Sequence, residues 1–227
     1  MPTVVFASPK GGAGKSTSAV VLATQLALNG ATVTIVDADP NRPVARWAKL
    51  PGKPQGLSVI ADVTERTIIR TIEEETSRVA FVVVDLEGTA SRMIPYAMSR
   101  ANLVIIPTRA SVLDAIEAVS AIREVRQQEE AFRRTIPAAV LFTCTSAAIR
   151  TRTLNSIVQE FADNGVPVLK TRLHDREAFR ALFSFGGTLA GLDPTSVRNI
   201  DAAIKNAQDF VHEVVTILRK QNMEQAA

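Results

Sequence analysis

Positions 8 to 17 combine small residues, two lysines and three hydroxyl side chains, in the order Ser-Pro-Lys-Gly-Gly-Ala-Gly-Lys-Ser-Thr. Glycines let a backbone turn so that successive N–H groups point toward one anion. The run follows a short apolar segment typical of a strand and precedes an apolar segment typical of a helix, whose N-terminus adds the positive end of its dipole. This order favours a phosphate-binding loop over an incidental glycine-rich turn.

Each polar residue of this loop has a chemical role that its position predicts. Lys15 can reach the β- and γ-phosphates of a nucleotide, and the Ser16 hydroxyl can ligate Mg²⁺. Thr17 is expected to support the α-phosphate. The rest of the cradle is expected to come from the small residues Gly11, Gly12, Ala13 and Gly14.

Acidic residues follow two later apolar runs. Asp37 and Asp39 come after the second predicted strand, and Asp85 ends the run Phe81-Val82-Val83-Val84. Taken alone, each could be a solvated turn or a cap. Beside a phosphate loop, an acid that ends a buried strand is typical of magnesium coordination, often through water. We therefore expect Asp85 to hold Mg²⁺.

Residues 10 to 16 match the pattern K-G-G-x-G-K-[ST] at every specified position, while Pro9 stands where an ordinary phosphate loop has its first glycine. The chain thus resembles the deviant Walker A ATPases, which include ParA and MinD. This resemblance implies that Lys10 reaches across a nucleotide-sandwich homodimer to the partner's ATP. There it would stabilise the charge on the transferring phosphoryl group.

Further segments extend this resemblance. The segment Asp37-Ala38-Asp39-Pro40-Asn41 is similar to the family's D-x-D-P-Q. It implies that Asp39 positions the attacking water and that Asp37 supports the magnesium shell. A strand ending in Pro107-Thr108 is also similar, and it assigns Pro107 to the nucleotide site. The family's D-x-P-P is replaced by Asp-Leu-Glu-Gly from Asp85, and its Asn-Arg pair near the base is absent, so no adenine contact is assigned.

The branch of the family is suggested by two more segments. The chain is similar to small ParA proteins and VirC-type transfer proteins in two places. These are Asn41-Arg42-Pro43 followed by Arg46-Trp47, and the segment 173–179. In such relatives the second segment lies near the nucleotide base. It could equally be a capped helix start with ion pairs three and four residues apart.

The elements that must position these residues alternate between short β-rich runs and longer helical patterns, which predicts an α/β fold with a doubly wound, mainly parallel sheet flanked by helices. The predicted strands are 3–7, 32–36, 57–60, 79–84, 102–106, 136–143 and 166–169. The predicted helices are 16–29, 65–77, 111–130, 153–164 and a C-terminal helix from about 194 to 220. The last helix could dock its apolar stripe on the domain or face a partner.

Composition limits the class of protein. The 227 residues are 46% hydrophobic and carry a net charge of +3, which predicts one folded domain over 1–227 rather than a disordered chain. The resemblance implies that this domain is a P-loop ATPase domain. The single cysteine, Cys144, excludes an intrachain disulfide and a cysteine-ligated cluster within one chain, and suits a reducing cytoplasm. No apolar run is long enough to cross a bilayer.

The resemblance implies a Mg²⁺-dependent ATPase, slow without a partner, that dimerises with ATP and binds duplex DNA without sequence preference. The leading hypothesis is that the protein partitions plasmid or chromosomal DNA with a ParB-like partner. It would act at the nucleoid, without stable membrane association. A VirC-like DNA-transfer accessory, a MinD-like positioning ATPase and a cargo scaffold are the alternatives. Candidate DNA contacts are the cations of the second half, Arg150, Arg152, Arg172, Arg176, Arg180, Arg198, Lys205, Arg219 and Lys220.

Overall fold

The computed structural model describes residues 1–88, 92–147 and 152–226. Along these residues strands and helices alternate, as the sequence predicts. The strands are β1 Thr3–Phe6, β2 Val33–Ala38, β3 Leu57–Ile60, β4 Phe81–Leu86, β5 Leu103–Arg109, β6 Ala138–Thr145 and β7 Leu173–His174. The helices are α1 Lys15–Leu28, α2 Pro43–Ala48, α3 Ile68–Thr76, α4 Met93–Met98, α5 Val112–Phe132, α6 Arg152–Asp163, α7 Glu177–Phe185 and α8 Ile200–Ala226.

The strands of the described residues form one parallel sheet in the order β3-β2-β4-β1-β5-β6-β7. Its central strands are apolar on both faces: Val4 and Phe6 of β1 enter one core cluster, while Val5 enters the other. Helices cover both faces, which explains the continuous apolar runs in the sequence. The predicted doubly wound architecture is therefore confirmed.

The predicted strand at 166–169 is wrong. Within this segment Val168 forms an isolated parallel bridge to Val140, and the edge strand is the later β7. Val140 makes two hydrogen bonds to this segment, since its N–H donates to the Pro167 carbonyl and its own carbonyl accepts from the Leu169 N–H. Pro167 has no N–H to extend a ladder. The chain then leaves the sheet and returns at Leu173.

The C-terminal helix begins at Ile200, so the predicted start near 194 is also wrong. The Asp193 carboxylate instead caps a turn, accepting the Thr195 N–H at 2.9 Å. Asn199 then adopts a left-handed backbone with φ of 58°, which interrupts helical geometry. From Ile200 onward, α8 buries an apolar stripe that includes Ala207, Phe210, Val214 and Leu218 in the core.

Gly186, at the end of α7, meets the chain just after α2. Its φ of 81° and ψ of −165° define a backbone region that glycine alone occupies readily. A Cβ there would contact the Leu50 side chain and lie 2.8 Å from the Pro51 carbonyl oxygen. Gly186→Ala should therefore lower the free energy of unfolding by about 2–4 kcal/mol, measured by urea denaturation.

Gly30→Ala is the matched control, because Gly30 has a similar φ of 87° but no atom within 4 Å of an added Cβ. Backbone strain alone should cost it about 1 kcal/mol. Equal losses in the two variants would show that the contact between α7 and the chain after α2 is not sterically tight.

Candidate functional site

A cavity of about 840 Å³ opens at the carboxyl end of the sheet, above the loop that joins β1 to α1. In a parallel sheet the strand ends converge here, so loops distant in sequence meet at one edge. Gly12 and Gly14 have φ of 73° and 89°, and Gly14 is the residue at the start of α1. These left-handed residues turn the loop back on itself so that it reaches the N-terminus of α1.

Lys15 is held inside this loop. Its side chain is largely buried, and Nζ lies 3.2 Å from the Lys10 carbonyl oxygen and 3.5 Å from that of Ser8. Burial lowers the pKa of Lys15, although the charges of Asp85, Asp39 and Glu87 oppose this effect. A desolvated ammonium in this position would be stabilised by an anion entering the cavity.

Asp85 lies at the end of β4, opposite Phe6 of β1 and Asp37 of β2 in the parallel register. It is fully buried, and neither carboxylate oxygen has a hydrogen bond of normal geometry among the described residues, although the Ser16 hydroxyl is close enough to lower its pKa as a donor. Burial raises the pKa of Asp85 to about 7, the charges of Asp37 and Asp39 add to the shift, and Ser16 and Lys15 oppose it. An unpartnered buried carboxylate beside a serine hydroxyl fits a hydrated Mg²⁺.

Asp37 has a different role in the same acidic group. One of its oxygens accepts the Ala45 N–H at 2.8 Å, and the other accepts the Asp39 N–H at 3.3 Å. Burial raises the pKa of Asp37, while these backbone hydrogen bonds oppose the shift. Asp37 therefore anchors the start of α2 and fixes the backbone of Asp39, which itself lines the cavity.

Lys10 points away from the cavity. Its Nζ pairs with the Asp114 carboxylate on the first turn of α5, while about half of the Lys10 side chain stays exposed. The Ser111 hydroxyl donates to the other Asp114 oxygen at 2.6 Å. Burial alone would raise the pKa of Asp114, but Lys10 and Ser111 hold it below its usual value. Lys10 is thus tied to its own α5 in this structure.

The residues predicted from the motifs lie in the cavity wall, just beneath or beside the cavity, or, for Pro107, away from it. The cavity is lined by Gly11, Gly12, Gly14, Lys15, Ser16, Thr17 and Asp39. Ala13 and Asp85 are buried just beneath it, and Asp37 lines a neighbouring cavity of about 290 Å³. Pro107 does not line either cavity, because it lies inside β5 opposite Leu141. Its assignment to nucleotide binding stays a prediction.

Sequence reasoning missed three residues that line the cavity from β5 and β6: Arg109, Thr143 and Cys144. Thr143 secures the loop, since its hydroxyl donates to the Ala13 carbonyl at 2.8 Å. The rule that active residues follow the carboxyl ends of parallel strands could have found Arg109 and Thr143. No motif in the sequence marked either residue.

The segment 173–180 forms the far end of the cavity through Leu173, His174, Asp175, Arg176, Phe179 and Arg180. The His174 ring nitrogen Nδ1 lies 3.0 Å from the Thr145 hydroxyl, and burial lowers the pKa of His174. Arg180 also pairs with Asp175 and Glu177 at the start of α7. The segment is therefore both a helix start with ion pairs and a wall of the cavity.

The described residues contain no group of three or more histidine, cysteine or acidic side chains arranged to enclose a metal ion. Mg²⁺ in nucleotide sites typically takes only one or two carboxylates and completes its shell with phosphates and water. Asp85 and Ser16 suit that kind of site. Within the same residues, no helix combines the length and apolar character needed to span a membrane.

Comparison with known proteins gives consistent matches. A family model described as VirC1 protein matches residues 1–220. The chain is 45% identical over 210 residues to Protein ParA of Rhizobium radiobacter, covering 92% of this chain and 94% of that protein. Among solved structures, apo McdA from Cyanothece superposes with a TM-score of 0.74 at 15% identity, covering 92% and 99% of the two chains. A plasmid partition protein from Borrelia burgdorferi B31 bound to AMPPNP gives 0.69 at 16%, covering 95% and 98%.

Proposed function

Since the chain belongs to the VirC1 protein family, within the ParA/MinD type of P-loop ATPase, we propose that it is a Mg²⁺-dependent ATPase that partitions DNA as a nucleotide-dependent dimer. The observation that carries the proposal is the position of the buried Lys15 ammonium and the unpartnered Asp85 carboxylate, which lie together at one phosphate loop. The partition protein of similar fold was solved with AMPPNP, which supports ATP as the ligand.

The residues of the site have different roles in the hydrolysis of ATP. Lys15 binds the β- and γ-phosphates, and the loop N–H groups orient them. Ser16 and Asp85 would hold Mg²⁺, which supplies screening of the triphosphate charge. Asp37 would support that shell indirectly, because its oxygens accept the backbone N–H groups of Ala45 and Asp39. Asp39 lines the cavity and has its backbone N–H held by Asp37, and we assign its carboxylate to orienting the attacking water. This arrangement suits transfer of a phosphoryl group to water.

Lys10 supplies the dimer-dependent part of the proposal. Its ammonium is occupied by Asp114 of its own chain, so it must exchange this partner before it can contact a second protomer's ATP. Lys10 is half-exposed but Asp114 is mostly buried, so the exchange leaves a buried carboxylate with Ser111 as its remaining donor, and the contact with the second protomer's phosphate must offset that cost. ATP-bound dimers would then be the active form, and a ParB-like partner would speed hydrolysis.

The cations proposed for DNA binding are unequally available. Lys205 and Lys220 pair with acids one helical turn away, and Arg180 is paired at the cavity. Arg150 lies outside the described residues. The structure gives no ion pair to the others among the described residues, but Arg176 lines the nucleotide cavity. The first candidates for DNA phosphate contacts are therefore Arg152, Arg172, Arg198 and Arg219.

The proposal is tested by binding to an arbitrary DNA duplex with ATP, with ADP and without nucleotide, across a salt series. We expect binding with ATP alone, weakening steeply as salt rises. Lys15→Ala is the control, because it should remove the ATP dependence. Absence of DNA binding in every nucleotide state, with ATP still bound, would move the function to membrane or protein cargo.

The VirC1 family match favours a second candidate, a DNA-transfer accessory that acts at specific DNA. The same ATP site would serve both functions. A competition assay separates them: a partition ATPase should be displaced equally by any duplex, while a transfer accessory should keep its own transfer site against an excess of arbitrary DNA.

A further inference from the structure

Arg109 ends β5 at the edge of the cavity, and none of the motifs includes it. Its side chain is exposed, and its Nη2 lies 3.5 Å from the position that a Cβ on Gly12 would take. The guanidinium therefore lies over the middle of the phosphate loop, where glycine leaves space. A positive charge at this point faces the same cavity as Lys15.

The guanidinium of Arg109 makes no hydrogen bond or ion pair with any residue that the structure describes. Two other cations near the cavity have acidic partners: Lys10 pairs with Asp114, and Arg180 pairs with Asp175 and Glu177. Arg176, at the far end of the cavity, also lacks an ion pair among the described residues. The charge of Arg109 helps to lower the pKa of Asp114, but Lys10 and Ser111 already bind the two oxygens of that carboxylate. Arg109 is thus a permanent positive charge with no ion-pair partner among the described residues.

The base of the Arg109 side chain is firmly held, although its tip is free. Arg109 lies opposite Thr143 in the β5–β6 register, and Thr143 binds the loop at Ala13. The preceding Thr108 donates its hydroxyl to the Asp114 carbonyl at 3.0 Å. These contacts fix the strand end relative to the loop, so the free guanidinium stays within reach of an anion bound by the loop.

We propose that Arg109 binds the phosphate groups of the nucleotide held by its own protomer, as a second cation beside Lys15. This inference rests on the proposed ATP site. A guanidinium presents a planar fork that matches two phosphate oxygens, and it keeps its charge at all physiological pH values. Lys15 is a single ammonium whose charge is opposed by burial, so the two cations contribute differently to holding a polyphosphate.

The test compares Arg109→Ala, Arg109→Lys and the control Arg123→Ala by calorimetric titration with AMPPNP and with ADP. Arg123 is an exposed arginine on α5 that does not line the cavity. Arg109→Ala should weaken AMPPNP binding about tenfold or more, as expected for loss of a charge-assisted contact. Arg109→Lys should recover part of this loss, and Arg123→Ala should stay within about twofold of wild type.

Salt dependence separates phosphate binding from packing on the loop. Removing a cation that binds phosphate should make the affinity less sensitive to salt, whereas removing a packing contact should leave that sensitivity unchanged. Unchanged affinity in Arg109→Ala would overturn the proposal, and so would equal losses in the alanine and lysine variants with an unchanged salt dependence.

The same substitution in a Lys10→Ala background tests whether Arg109 acts within its own protomer, since that background should not form the ATP dimer. A persistent loss of affinity supports the proposal, and its disappearance overturns it in favour of contact across a dimer. Failure of the wild-type protein to bind AMPPNP at all would refute the ATP site itself, which is a result distinct from any effect of Arg109.

Discussion

Replacing Lys15 by alanine is expected to lower the affinity for ATP by about a hundredfold or more. The buried ammonium lies within 3.5 Å of two loop carbonyls, so no solvent-exposed cation can take its place without rebuilding the loop. Its removal also takes away the cation on which the charges of Asp85, Asp39 and Glu87 act, so these acids repel phosphates more strongly. Two or more lost charge-assisted contacts of about 1.5–3 kcal/mol each account for this magnitude.

Calorimetric titration with ADP and AMPPNP measures this effect, and Lys10→Ala is the matched control. Both substitutions remove one lysine from the same loop, but Lys10 is half-exposed and pairs with Asp114 rather than facing the cavity. Lys10→Ala should keep nucleotide affinity within about threefold while it loses ATP-dependent dimerisation and hydrolysis. Similar affinity losses in the two variants would contradict the separate roles proposed for the two lysines.

Replacing Asp85 by asparagine should stabilise the nucleotide-free protein at high pH while it removes the effect of Mg²⁺ on nucleotide binding. The pKa of Asp85 is raised by burial from 3.8 to about 7, so the folded state binds a proton that the unfolded state releases between these values. The wild-type protein therefore loses stability as the pH rises from about 4 to about 7. The asparagine side chain of the variant cannot ionise, so the variant escapes this loss.

At pH 8, without Mg²⁺, Asp85→Asn should have a free energy of unfolding about 2–4 kcal/mol above wild type, and at pH 4 the two should be similar. Urea denaturation in chelator at both pH values measures the difference. Asp37, Asp39 and Lys15 surround the carboxyl in both proteins, so the measured difference reports Asp85 together with its electrostatic effect on these neighbours. A constant stability difference across this range, or an undiminished Mg²⁺ effect on ADP binding in the variant, would contradict the interpretation.

The fold followed closely from the sequence where elements were long and apolar. β3 was predicted to the residue, and α1 and α6 to within one residue at each end. The six-residue helices α2 and α4 were not predicted, because so few residues show no helical periodicity. Asp193-Pro194 is typical of a helix start, but the prediction of a helix from 194 was wrong, because the left-handed Asn199 separates that turn from α8.

The sequence by itself determined the chemistry of the phosphate loop and the order of its acids, because spacing along one strand–loop–helix unit is local. Tertiary structure decided the rest. Three features depend on parallel strands whose ends meet at one edge. They are the burial of Asp85, the contact of Lys10 with Asp114, and the contact of Arg109 with the loop at Gly12. These pairs are separated by up to about a hundred residues of chain, so only the order of strands in the sheet brings them into contact.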